Sequence, residues 1–307
     1  MAATGIALLA LLTGCAAAQP AHVASASGSA TASASAPHSS TAHVDDDAVN
    51  AALAALETQY AARVGVQVID TSTGATYGYR QRERFALDST SKMLTASAVL
   101  QHATDAELAG IVRYTSADLQ SYSPITSQHV ESGMSLSDLI GAALQYSDNT
   151  AANLLYERLG GPSGAQAAVR SWGDEVTNLD RTEPDLNSAV PGDPRDTSTP
   201  QQVATDLKAL LLGRTLPAQR RQFLLQTMLG NTTGASYIPA GVPSTWRVAD
   251  KTGNGGYGSR NDVAVLYPPG GKPIVLAIYT TRNAPDAASD DDLIAAVTRS
   301  VVAALPR

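Results

Sequence analysis

Cysteine is nearly missing from this chain: Cys15 is the single one in 307 residues. One cysteine excludes an intramolecular disulfide and a thiolate metal cluster. Histidine is scarce as well, with five in all. His22, His38 and His43 are irregularly spaced in a stretch poor in apolar residues, and read as solvated tail rather than metal ligands. His102 and His129 are expected on helix or loop surfaces. No Gly-x-Ser-x-Gly occurs, so a Ser-His-Asp hydrolase is poorly supported. Basic residues are outnumbered, 21 Lys and Arg against 28 Asp and Glu, and they are scattered. A nucleic-acid surface would need a basic patch, so none is expected. Neither metal nor cofactor is implied.

The N-terminus also lacks charge, since no Lys or Arg precedes Arg63. Residues 1–12 hold the run Ile6-Ala7-Leu8-Leu9-Ala10-Leu11-Leu12, too short for a bilayer span and suited to a signal-peptide core. It ends in Leu12-Thr13-Gly14-Cys15, which resembles the lipobox of bacterial lipoproteins. The missing basic n-region departs from that pattern. The resemblance implies a signal over 1–15, lipidation of Cys15, and a place on the outer face of the cell membrane, or secretion. Several acyl chains on one residue hold a protein firmly on a membrane. Residues 16–44 are nearly all Ala, Ser, Thr, His, Gly and Pro. Such a stretch buries too little apolar surface to offset its ordering entropy, and a disordered tether is expected.

Order is expected from Asp45. Asp45-Asp46-Asp47 suits a helix N-terminus, and Val49, Leu53, Leu56 and Tyr60 follow at helical spacing. Val64, Val66 and Val68 alternate as a strand, and 75–79 returns after a turn at Gly74. At the other end, 246–249, 262–267 and 273–281 read as strands, with a hairpin turn at Pro268-Pro269-Gly270-Gly271. Asp290-Asp291-Asp292 then opens a helix with Leu293, Ile294, Val297 and Val301 on one face. Between them the chain reads as helices, over 91–102, 135–144, 150–159, 164–172 and 199–212. The expected fold is α+β: a discontinuous α/β domain (45–84 and 230–307) with an antiparallel sheet and terminal helices, and an inserted all-helical domain (85–229). A cleft between such parts is a natural place for a site.

Four short motifs fall along this plan. Ser89-Thr90-Ser91-Lys92 stands at a helix start, where residues three apart share a face. A serine is a weak nucleophile unless a base adjoins it, and a lysine serves once burial or a neighbouring cation lowers its pKa. The first-turn amides are free to hold an oxyanion. Ser147-Asp148-Asn149 lies between two helices, and by itself reads as a helix cap. Lys251-Thr252-Gly253 ends a strand, and alone reads as a strand running into a turn. Arg181-Thr182-Glu183-Pro184-Asp185-Leu186-Asn187 lies in a long Pro-rich loop, of a length uncommon unless functional.

Each motif is weak singly, and their co-occurrence carries the specificity. Their order and spacing resemble the class A serine β-lactamases over about residues 46–305, within the wider serine β-lactamase/DD-peptidase-like fold. Phe85, Tyr122-Ser123-Pro124-Ile125-Thr126 and Asp250 agree. The resemblance implies that Ser89 attacks the lactam carbonyl, with its N–H and that of Asn254 as oxyanion hole. Lys92, or Glu183 through a water, takes the hydroxyl proton, and Ser147 passes one to the lactam nitrogen. Lys251, Thr252, Gly253 and Arg260 hold the substrate, with Ser259 nearby. Asn149 binds its side-chain amide, Tyr122 walls the entrance, and Glu183 with Asn187 holds the hydrolytic water. Arg181 and Asp196 pin the loop, and the Glu183–Pro184 bond is expected cis.

Two positions depart from the family's pattern. Asp88 stands where a Cys or small residue is usual, and Asn254 where Ser, Thr or Ala is usual. The disulfide of some carbapenem-hydrolysing relatives cannot form here, so broad carbapenemase activity is not expected. The expected partner is a small β-lactam, penicillins and also cephalosporins, acted on by a monomer. The alternatives are a penicillin-binding DD-peptidase, which shares Ser-x-x-Lys and Lys-Thr-Gly, and a non-enzymatic β-lactam receptor. They would be expected to lack a carboxylate such as Glu183 and to stay acylated.

Overall fold

Residues 46–305 are described by a computed structural model; the expected signal segment with Cys15 and the 16–44 tether lie outside the described residues. The first helix, α1 (Asp46–Tyr60), leads into β1 (Arg63–Asp70) and its hairpin partner β2 (Thr76–Tyr79). The long strands β3 (Arg247–Asn254), β4 (Arg260–Tyr267) and β5 (Ile274–Thr281) follow near the C-terminus. One sheet joins all five in the order β2-β1-β5-β4-β3, every pair antiparallel. Strand β1 thus pairs with β5, Val66 opposite Ile278, so the two ends of the chain meet at the sheet's middle.

Alternation along the strands decides what each face covers. Val64, Val66, Val68, Leu266, Leu276 and Ile278 join a core roofed by α1 and the last helix, α8 (Asp291–Ala303). Val263, Val265, Val275, Ala277 and Tyr279 face the other way, into a core shared with the helices of 85–229. The longer of those helices are α2 (Ser91–His102), α3 (Leu136–Gln145), α4 (Asn149–Arg158), α5 (Pro162–Ser171), α6 (Pro200–Leu211) and α7 (Ala218–Leu229). Helix α2 is buried over Ser91 to Leu100 and packs against α3, α4, α5 and α7. Helix α6 crosses β1 and β5 closely. Gly65 permits that crossing, because a Cβ there would lie 2.4 Å from the Phe85 ring and 2.9 Å from Pro200.

Two expectations need adjustment. Strand β3 runs to Asn254, well past the expected end at 249, and carries Lys251-Thr252-Gly253 within its ladder rather than beyond it. Helix α7 was not among the helices expected from spacing; it buries only Leu224, Thr227 and Met228, too few for a clear apolar stripe. Among the described residues no helix is long and apolar enough to cross a membrane.

Candidate active site

The four motifs converge on one cleft. It is lined by Ser89, Tyr122, Ser147, Asn149, Asn187, Thr233, Thr252 and Asn254 and holds ≈ 220 Å³. Larger hollows occur elsewhere, but they gather no comparable set of reactive side chains. Ser89 lies in a short 3-10 turn, Asp88–Thr90, that feeds directly into α2. Backbone in the left-handed region sets the corners: φ is 48° at Asp88, 62° at Tyr122 and 58° at Ser147. Such conformations disfavour residues other than glycine and cluster at sites where surrounding structure enforces them.

Lys92 stands one helical turn behind Ser89, as Ser-x-x-Lys spacing requires, and is fully buried. Its ammonium donates to Ser89 Oγ (3.0 Å), the Ser147 carbonyl (2.7 Å), Ser147 Oγ (3.3 Å) and Asn149 Oδ1 (2.7 Å). It also pairs with Glu183 Oε1 at 2.9 Å, both side chains out of solvent. Burial pulls the Lys92 pKa below the usual lysine range, and the Glu183 carboxylate resists that fall. Ser89 Oγ donates to the same Glu183 oxygen at 3.3 Å. The serine therefore touches an amine and a carboxylate together, either of which accepts a proton when in its basic form.

Glu183 is fixed from several directions. Asn187 Nδ2 donates to its Oε2. Its backbone N–H donates to Asn153 Oδ1 and its carbonyl accepts from Asn153 Nδ2, each at 2.9 Å. The loop behind it is tied by Arg181 Nε to Asp196 Oδ2 at 2.5 Å, and Asp196 Oδ1 caps the N–H groups of Asp180 and Arg181. The Glu183–Pro184 peptide bond is cis.

Ser147-Asp148-Asn149 serves as cap and site at once. Asp148 accepts from the Ala151 N–H at the start of α4, and also from Ile125 and Thr126 N–H, fastening the 122–126 turn. Asn149 Nδ2 donates to the Ser121 carbonyl at 2.8 Å, and among the described residues its second N–H makes no such bond. On the facing side Lys251 Nζ donates to Ser147 Oγ at 3.0 Å and to the Thr252 carbonyl at 2.8 Å. Burial, and then the Lys92 charge, pull the Lys251 pKa down to about 7. A continuous polar chain thus runs from Ser89 through Lys92 and Ser147 to Lys251.

Not every expected residue faces the cleft. Ser259 Oγ is turned to Asp88 Oδ2 at 2.7 Å and is buried. Arg260 donates from Nε to Asp291 (3.0 Å) and from Nη1 to the Ser259 carbonyl (3.0 Å). Gly253 belongs to β3, where a Cβ would lie 3.0 Å from the Leu87 carbonyl, so the strand comes close to the nucleophile turn. Asn254 accepts from the Tyr237 hydroxyl at 2.6 Å, and Tyr122 stands 62% exposed at the rim. Two contributors carried no sequence signal: Asn153, one of many polar helix residues, and Thr233, whose hydroxyl shares a hydrogen with Thr252 Oγ1 at 2.6 Å. Among the described residues no group of three or more His, Cys, Asp or Glu is arranged to hold a metal ion.

Comparison with known proteins agrees with this geometry. The Beta-lactamase enzyme family profile matches residues 48–305. A β-lactamase of Amycolatopsis lactamdurans is 50% identical over 260 residues, 85% of this chain and 86% of that one. The β-lactamase CTX-M-8 of Citrobacter amalonaticus is 48% identical over 251 residues, 81% and 86% of the two chains. Among solved structures, the β-lactamase from Desulfarculus baarsii superposes with a TM-score of 0.83 at 46% identity, covering 85% of this chain and 98% of that one. A class A β-lactamase from Clostridium kluyveri gives 0.81 at 44% identity, covering 83% and 97%.

Proposed function

Because the chain belongs to the class A serine β-lactamases, we propose that it hydrolyses penicillins and cephalosporins through an acyl-enzyme on Ser89. The observation that carries this reading is Glu183 Oε1 lying 3.3 Å from Ser89 Oγ, with Asn187 on the other carboxylate oxygen. In acylation Ser89 Oγ bonds to the lactam carbonyl carbon as its proton leaves for Lys92 or Glu183. The C–N bond then breaks, and Ser147 hands the lactam nitrogen a proton, refilled from Lys92 at 3.3 Å. Main-chain N–H groups of Ser89 and Asn254 hold the oxyanion. Lys251 and Thr252 bind the substrate carboxylate, and Arg260, held by Asp291, adds its positive charge at longer range. In deacylation Glu183 takes a proton from water as that water attacks the ester, and Ser89 recovers its hydrogen.

The soluble domain incubated with excess benzylpenicillin, followed by ring opening and intact-mass spectra, tests the reading. Many turnovers are expected, falling by about a thousandfold or more in Ser89→Ala. Glu183→Ala is expected to accumulate a stable adduct. One equivalent consumed by the unaltered protein, with a lasting adduct on Ser89, would instead make it a penicillin-binding peptidase or receptor. Lipid attachment at Cys15, holding the enzyme at the outer membrane face, belongs to the same proposal; the intact mass of membrane-extracted protein reads it directly.

A further inference from the structure

Asp88 precedes the nucleophile and is fully buried, with its carboxyl wedged between three parts of the site. On one side Oδ2 accepts from Ser259 Oγ and Asn261 Nδ2, both at 2.7 Å. Asn261 in turn donates to the Ala86 carbonyl and accepts from the Thr280 N–H, so this side is anchored across β4 and β5. On the other side Oδ1 has no hydrogen-bond partner among the described residues. It points into the gap at Gly255, where a Cβ would lie 2.3 Å from Oδ1 and 2.7 Å from the Asn187 carbonyl oxygen. Above, the Asp88 Cβ lies under Gly253, within 3.2 Å of where a Cβ of that residue would be. The carboxyl therefore backs the two peptide segments, at Ser89 and Asn254, whose N–H groups face a developing oxyanion.

Asp88 Oδ1 and the Asn187 carbonyl oxygen thus border the same small space beside Gly255, and a buried oxygen with no donor is unfavourable unless it carries a hydrogen of its own. The neutral acid supplies one. We propose that Asp88 is a positioning residue for acylation: as a neutral carboxylic acid it ties the nucleophile turn to β4 and to the loop end at Asn187, and its ionisation disables the oxyanion site. This inference rests on the acyl-enzyme reading above. The charged or titratable groups facing Asp88 are Glu183 from the loop, Arg260 from β4 and Tyr279 from β5. Glu183 opposes its ionisation and Arg260 favours it. Gly253 of β3, and Gly255 just beyond its end, offer only backbone. Lys92 and Lys251 aim instead at Ser147. Burial dominates, pushing the Asp88 carboxyl up to about 8.

The test compares Asp88→Asn with the unaltered enzyme, reading acylation directly as adduct formed in single turnover across pH. Asparagine keeps both the acceptor and a donor but cannot ionise. The ratio of variant to unaltered rate is expected to stay level between about pH 6 and 7, whatever its value there. It then climbs roughly tenfold per unit above about pH 8, as the unaltered enzyme alone loses acylation. Titration of Lys92 and Lys251 is common to both proteins and cancels in the ratio. A ratio flat across the range overturns the proposal, since a purely structural role changes the level and not the shape. If Asp88→Asn does not fold, Asp88→Ser, equally unable to ionise, carries the same comparison. Acylation is defined even where deacylation fails, so loss of the hydrolase reading is seen separately, as a lasting adduct on unaltered protein.

Discussion

Lys251 is the residue on which substrate binding and pH meet. It is wholly buried, and burial, then the Lys92 charge, holds its pKa near 7. A cation recognises a substrate carboxylate only while protonated, so its pull weakens as pH rises through that value. The prediction concerns preference rather than rate. A penicillin and its methyl ester share the lactam and differ only in that carboxylate. Their ratio of kcat/KM is expected to be steady below about pH 7 and to fall by up to tenfold per unit above it. Groups that act on the lactam ring affect both compounds alike and drop out of the ratio. A preference for the acid that is unchanged up to about pH 9 would show that Arg260, not Lys251, supplies the attraction.

At the scale of elements, the loop carrying Glu183 is fastened to α4 through Asn153. Asn153 satisfies both the N–H and the carbonyl of Glu183, so Asn153→Ala would leave two largely buried backbone groups unpaired. A displacement of about 1 Å at a reacting group costs on the order of a hundredfold in rate. The expected outcome is deacylation slowed by about ten- to a hundredfold, with acylation changed much less, measured as a longer adduct lifetime in stopped-flow and mass spectra. Equal loss in both steps would mean that the loop positions more than the hydrolytic water.

Elements of regular pattern were legible in the sequence. Val64-x-Val66-x-Val68 read as a strand because one face meets an apolar roof, and Leu293, Ile294, Val297 and Val301 read as a helix for the same reason. Pattern failed where the site begins. Strand β3 continues through Asp250, Lys251 and Thr252, all buried, because their polar groups are satisfied by Asn231, Ser147 and Thr233. Buried polar residues break the apolar alternation on which strand recognition rests. Motifs supply what periodicity cannot: the family resemblance carried by their order and spacing points to Ser89, Lys92, Ser147 and Glu183, which meet within hydrogen-bond reach. Ser259 was expected beside the substrate and instead serves Asp88, a contact between residues 171 apart that no local signal encodes.

Over the whole molecule, several carboxyls are buried beyond the ordinary range. Asp88 and Asp206 are pushed to about 8, Asp250 to about 7, and Asp262 well above its usual value, each chiefly by burial. An acid with a raised folded-state pKa binds its proton in the fold and releases it on unfolding. Its contribution is full below the unfolded pKa, near 4, and is lost as pH rises through the folded value. Stability is therefore expected to decline between about pH 5 and 8. Partly buried Asp193 runs the other way: Arg195 holds it down to about 2, so what it contributes is present above its unfolded pKa and is lost as pH falls toward the folded value.

Asp206 isolates the effect, because it lies on α6 away from the cleft. Among the described residues its Oδ2 and Asp174 Oδ2 are both buried without a hydrogen-bond partner, while Asp174 Oδ1 caps the N–H groups of Val176 and Thr177. The charge on Asp174 is the second cause of the Asp206 shift. Asp206→Asn keeps the acceptor for Gln202 Nε2 and gives Asp174 a permanent donor. Urea unfolding at pH 5 and 8 is expected to show the variant's folding equilibrium gaining on the unaltered protein by up to about tenfold per pH unit across that window. The same decline in both proteins would mean that Asp206 carries no proton in the fold and that the alkaline loss belongs to Asp88, Asp250 and Asp262.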